Sequence, residues 1–260
     1  MSTLNEHFAS VTGNEALTVG ERITSFFKEL SLGIDSFSAK KLNGSIHQVS
    51  GGEVWKQLAA QNNYFGVSIK HIPAPVFFDA RKLTFANYVE FVLRAIPLIK
   101  AVDEQADQIY RGLKTTAATG KIPLSVFRNA GVDEFTEDTV KMFDDNVVNT
   151  GVYTRALNEL YPNFSSATKV FEEFNRTVRD LSYREPEVLA KRANAVIDVA
   201  GLLKRKIDSS DVTINAGDME IINNGVNTLV RNVTMVGKMM ALLSDLTRVL
   251  ELQAVEAKKL

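Results

Sequence analysis

The sequence predicts an all-α chain: an elongated antiparallel bundle of long, partly kinked helices over residues 83–260, preceded by a mixed N-terminal arm over residues 1–80. Two periodic series and one composition fact carry that prediction. The first series is Met219, Ile222, Val226, Leu229, Val233, Val236, Met240 and Leu243, spaced 3-4-3-4-3-4-3. With 45% apolar residues overall, eight apolar hits in eight chosen positions would arise by chance about 2 times in 1000. That spacing is the seam of a long helix lying against other helices. The second series runs Phe85, Val89, Val92, Ile96, Ile99, Ala106, Ile109 and Leu113. The composition fact is the absence of cysteine, which excludes disulfides and thiolate metal sites and leaves stability to packing.

The arm holds two short helices with start signals. Thr18 with Glu21 forms a capping box ahead of Val19, Ile23, Phe26, Phe27 and Leu30, and Gly33 stops it. Ser50 with Glu53 opens a second helix carrying Val54, Trp55 and Leu58. From Phe65 to Phe78 the pattern of Val67, Ile69, Ile72, the Pro73-Ala74-Pro75 break and Val76 reads as extended chain or a small hairpin.

The second series continues from Leu83 to roughly Thr116, a helix of ~50 Å at about 1.5 Å per residue. Pro97 should bend it, and Gly120 with Pro123 marks the loop that follows. A further helical stretch is expected over about 136–160, with Val140, Phe143, Val147, Leu157 and Leu160 inward and Thr150-Gly151 dividing it. Another begins near Ser165 with Phe171, Phe174, Val178 and Leu181. Beyond Pro186 the series Leu189, Ala193, Val196, Ala200, Leu203 and Ile207 is displaced by one residue, so Pro186 is a kink or the first residue of a new helix.

The short connection from Asp208 to Gly217 predicts that the last two long helices form an antiparallel hairpin. The final helix, Asp218 to about Ala257, spans ~60 Å. Its second half adds a stripe of Met235, Met239, Leu242, Leu246 and Val249, where the first half shows Asn223, Asn224, Asn227 and Asn232. The seam has two readings. It is core within one chain, or part of it, the second stripe above all, is a subunit contact, which paired methionines suit by adapting to irregular surfaces.

Little in the chain announces chemistry. Thirty basic residues against 31 acidic leave a net charge of −1, so nucleic acid is not expected as the primary partner. His7, His47 and His71 lack a second ligand at metal spacing, and no cofactor or metal is expected. Gly112 to Lys121 fails as a phosphate loop, because Thr115 and Ile122 stand where glycine and a magnesium-binding hydroxyl belong. The cluster Asp133, Glu134, Glu137, Asp138, Asp144 and Asp145 lacks the calcium-loop pattern and reads as a helix start. Its complement, Lys204, Arg205 and Lys206, suits a helix C-terminus. The sequons at Asn43, Asn163, Asn175 and Asn232 read as coincidence. No signal-like leader and no uninterrupted apolar stretch of membrane-spanning length is present, so a cytoplasmic chain without stable membrane insertion is expected.

A cysteine-free chain of near-zero charge, with long kinked helices and a proline-punctuated arm, resembles virion structural proteins of tailed bacteriophages. That resemblance implies a head, neck or tail component held in a symmetric assembly, with arm segments such as Phe65 to Phe78 packing on neighbours. The leading expectation is a structural or assembly protein without catalytic activity, whose partners are copies of itself or other parts of a particle. Two alternatives stand beside it. One is a membrane-perturbing bundle, whose best segment, Val236 to Leu243, is short and contains Lys238. The other is a helical enzyme or ligand carrier with Trp55, Phe77 and Phe78 walling a pocket.

Overall fold

The computed structural model describes residues 46–61, 63–76, 84–130, 152–181 and 185–260. The Thr18–Glu21 helix, Phe77 and Phe78, the acidic cluster of 133–145, the Thr150-Gly151 divider, His7 and Asn43 lie outside the described residues. Helix accounts for 77% of what is described, joined by one two-stranded antiparallel sheet. In chain order the elements are α1 (Gly52–Gln61), α2 (Tyr64–Val67), β1 (His71–Pro75), α3 (Phe85–Leu93), α4 (Ala95–Thr119) and α5 (Leu124–Ala130). Then come β2 (Val152–Ala156), α6 (Leu157–Leu160), α7 (Phe164–Asp180), α8 (Glu185–Asp208) and α9 (Ala216–Ala257).

The long second series is two helices rather than one bent helix. Proline has no N–H and its ring crowds the carbonyl four residues back, which for Pro97 is that of Leu93. The chain therefore ends α3 at Leu93, and Arg94 N–H donates to both Glu90 O (3.1 Å) and Phe91 O (3.2 Å). Pro97 then falls in the first turn of α4, where the missing donor would have been unsatisfied anyway. At the other end Gly120 takes φ +68°, the left-handed conformation that glycine adopts without a Cβ penalty, and its N–H closes on Thr116 O at 2.9 Å.

The sheet corrects two expectations. Phe65 and Val67 belong to a helical turn or its edge, and the extended piece His71–Pro75 pairs with no local partner: it pairs with Val152–Ala156, Ile72 opposite Arg155 and Ala74 opposite Tyr153. The helix expected over 136–160 is replaced at residues 152–156 by this strand. Val152, Tyr153 and Thr154 are branched or aromatic residues that favour a pleated, half-buried surface, and Leu157 with Leu160 fills only the single turn of α6. Both strands are edges, which is where Pro73 and Pro75 can sit.

Asn163 caps α7, its side chain accepting from Ser166 N–H at 2.8 Å. Pro186 stands in the first turn of α8. Asn215 caps α9 by accepting from Asp218 N–H at 2.8 Å. Of the four sequons, Asn175 is engaged with both backbone groups of Val49 (2.7 and 2.9 Å) and Asn232 is buried.

All eight seam residues of α9 are buried. Its path is antiparallel to α3 and α4: Gly225 lies against Ile109, Asn232 bonds Gln105 at 2.9 Å, and Asp245 acts on Tyr88. The expected α8–α9 hairpin is not the dominant packing. Helix α8 packs on α4, whereas α9 packs on α5, α4, β1, α1 and α3. Arg192 of α8 ties that contact, its Nε donating to Asp103 (2.7 Å) and a second guanidinium nitrogen to Asp107, which also receives Arg111 (2.7 Å). The described part of the arm shares the same core: Trp55 is fully buried and packs on Tyr161, Phe164 and Phe171 with ring centroids 5.7, 6.2 and 6.0 Å apart.

Candidate interaction surface

The residues singled out from sequence are core. The stripe Met235, Met239, Leu242, Leu246 and Val249, expected as a possible subunit contact, is buried by this chain's own elements. Among the described residues helix α9 packs against α5, α4, β1, α1 and α3, so both apolar stripes are used internally. Trp55, expected as a possible pocket wall, is likewise enclosed by aromatic rings.

Polar groups inside the core are mostly matched and structural. Tyr161 donates its hydroxyl to Gln253 Oε1 (2.6 Å), and Gln253 Nε2 donates to Pro73 O (2.6 Å), stitching β1, α9 and the turn before α7 together. Burial pushes the Tyr161 hydroxyl well above the ordinary phenol range. Burial also pushes the Asp245 carboxyl up, against the pull of Arg248. Among the described residues no group of His, Asp and Glu is arranged to hold a metal ion, and no helix is long and apolar enough to cross a membrane. His47 pairs with Glu251 at 2.7 Å at an exposed position.

What stands out at the surface is the turn from α2 to β1. One face of α2 points inward. Val67 is buried, and the Tyr64 ring meets Phe164 edge-on at 5.1 Å while its hydroxyl donates to Tyr161 O. The other face has nowhere to go, leaving Phe65 93% exposed and Ile69 73% exposed. The turn is fastened where it enters β1, since Leu157 N–H donates to Lys70 O (2.8 Å) and Asn158 N–H to Ser68 O (2.9 Å). A large aromatic is therefore held out from a pinned backbone. No family model, curated protein or solved structure matches this chain.

Two open clefts flank α7. One, of about 690 Å³, lies between α3 and α7: Ala86, Val89 and Val170 form its apolar part, with Glu90, Lys169 and Glu173 among its polar residues. The other, of about 760 Å³, lies between the start of α1 and α7, where Lys56 bridges Glu53 (3.0 Å) and Glu172 (3.1 Å). From sequence, Phe65 read only as the start of an extended segment. Its exposure follows from a single helical turn in which Tyr64 and Val67, three apart, take the inward face.

Proposed function

We propose that this is a non-catalytic structural or assembly protein, a bundle of long helices that presents the Phe65–Ile69 turn to a protein partner. The observation that carries this reading is the exposure of Phe65 and Ile69 on a turn whose backbone is bonded to the start of α6 at Ser68 and Lys70. Exposing a phenylalanine and, four residues on, an isoleucine leaves apolar surface in water, worth about 25 cal/mol per Å² when covered. Aromatic side chains are the usual anchors of protein interfaces, and one already fixed in place loses little entropy on docking. A place in a tailed-bacteriophage virion, made in the host cytoplasm, is the setting suggested by the chain's long helices and proline-punctuated arm.

Light scattering coupled to size exclusion over a concentration series tests the reading. A mass that rises to a defined oligomer is the expected result. A strict monomer at every concentration that also binds no component of a larger particle would refute it.

A further inference from the structure

We infer that the outer edge of β2 pairs antiparallel with the same edge of a second copy of this chain, joining the two-stranded sheets of both into one of four strands. The inference goes beyond the reading above, because it uses a different surface. Its basis is where the backbone groups of the sheet point. In an antiparallel ladder alternate residues turn N–H and C=O toward the neighbouring strand, and the residues between them turn both away. Leu157 N–H donates to Lys70 O (2.8 Å), so in the same phase Arg155, opposite Ile72, and Tyr153, opposite Ala74, face β1. The prolines agree. Pro73 and Pro75, with no N–H to give, fall on the outward phase, and Pro73 O accepts from Gln253 Nε2 of α9 (2.6 Å).

The two outer edges are therefore unlike. That of β1 is blunted by its prolines and covered by α9. That of β2 presents Val152, Thr154 and Ala156, and no proline, lysine or acid interrupts the strand. The Ala156 carbonyl begins α6. Among the described residues nothing bonds the Ala156 N–H or the backbone of Val152 and Thr154 on that side, and Thr154 is exposed. An open strand edge is a template for another strand.

The strand β2 is complementary to itself, which names the occupant. A two-fold axis at Thr154 sets it opposite the partner's Thr154, where each N–H reaches the other's C=O, and sets Ala156 N–H opposite the carbonyl of the partner's Val152. Sliding by two residues either way leaves Ala156 or Val152 without its mate. In this register Tyr153 stands opposite the partner's Arg155. Those two side-chain types already attract each other along one strand, where Arg155 Nε donates to the Tyr153 hydroxyl (2.5 Å) and the guanidinium lies 4.9 Å from the ring centroid. Arg155 is also held by Glu159 (3.0 Å), so no unpaired charge on β2 opposes a second copy.

Exchange of charge at the two-fold tests this. By light scattering the wild-type chain should form a dimer as its concentration rises. Thr154→Lys and Thr154→Glu each place like charges face to face and, alone, should raise the dimer dissociation constant roughly tenfold or more, with an unchanged thermal melt. Mixed in equal amounts they should recover a 1:1 dimer, because lysine then meets glutamate. Hydrogen exchange reads the same contact without a substitution: the Thr154 amide should exchange slowly in the dimer and freely on dilution. A strict wild-type monomer, a dimer indifferent to both charges, a mixture no tighter than its parts, or a Thr154 amide equally fast in the dimer overturns the pairing. Phe65→Asp leaves the strand untouched and should keep the dimer. Loss of the dimer in that variant would move the contact to the Phe65–Ile69 turn and overturn the strand pairing, so the two surfaces are read apart.

Discussion

Replacing Gly112 by alanine should destabilise the protein, although the same change in an isolated helix interior gains about 1 kcal/mol. The reason is Phe127. This fully buried ring of α5 lies over Gly112 so closely that an added Cβ would sit 2.8 Å from Cζ and 3.1 and 3.3 Å from two other ring atoms. Retreat toward α9 is blocked, because the carbonyl of Phe127 is itself 2.9 Å from where a Cβ on Gly225 would stand. Overpacking a core in this way costs about 1–3 kcal/mol. With a rigid ring and a backbone stop behind it the upper part of that range applies, so the net loss is about 1–2 kcal/mol after the helix gain. In a chain of this size that lowers the melting temperature by roughly 2–8 °C.

A double-mutant cycle isolates the cause. Phe127→Ala alone should cost about 3–5 kcal/mol. In that background Gly112→Ala has room and should reverse sign, stabilising by up to about 1 kcal/mol. Urea unfolding of the four proteins gives the coupling energy. A Gly112→Ala variant more stable than wild type, or a coupling below about 0.5 kcal/mol, would refute the reasoning.

Three further outcomes are expected. Gln105→Leu strands the buried Asn232 amide, whose partner is Gln105 Oε1 at 2.9 Å. It should cost about 1–3 kcal/mol, whereas the Gln105→Leu, Asn232→Leu pair should recover most of that loss in the same unfolding assay. Val233→Asp buries a carboxylate in the middle of the seam, so a loss of about 3 kcal/mol or more is expected; an unchanged melting curve would place that position in solvent. Asp245→Asn should be more stable than wild type at neutral pH. The Asp245 carboxyl is raised by burial in the folded state, so stability present below the unfolded value of about 3.9 is lost as pH rises through the folded one. The advantage of the variant should therefore vanish toward low pH, and an advantage independent of pH would reject burial as the cause.

Much of the helical order was readable from residue spacing. The seam of α9 repeats over eight positions, long enough that chance and strand alternatives fall away, and each of those positions is buried. Gly120 and Pro186 act through local backbone geometry, so their meaning travels with the sequence. Pairing across distance does not. Nothing local in Val152–Ala156 points to His71–Pro75, and five residues are too few for alternation to outweigh the helical spacing of Leu157 and Leu160. The short link between α8 and α9 says that the two helices follow one another, whereas α4 offers α8 the better surface. The second stripe could be read as core or as a subunit contact, because spacing alone cannot count how many neighbours a helix has. The exposed turn was not legible in the sequence, because which side chain points outward depends on Tyr64 finding Phe164.

The β1–β2 pairing has a consequence for the order in which the chain folds. Helices α3, α4 and α5 form from local contacts, but the sheet must bring His71–Pro75 to Val152–Ala156 across all the sequence between them. Loop closure of that length is paid before any ladder bond repays it. The sheet is accordingly a buckle fastened late. Weakening it, as with a proline at Arg155, whose N–H faces β1, should speed unfolding while leaving the folding rate almost untouched. Stopped-flow chevrons separate the two arms.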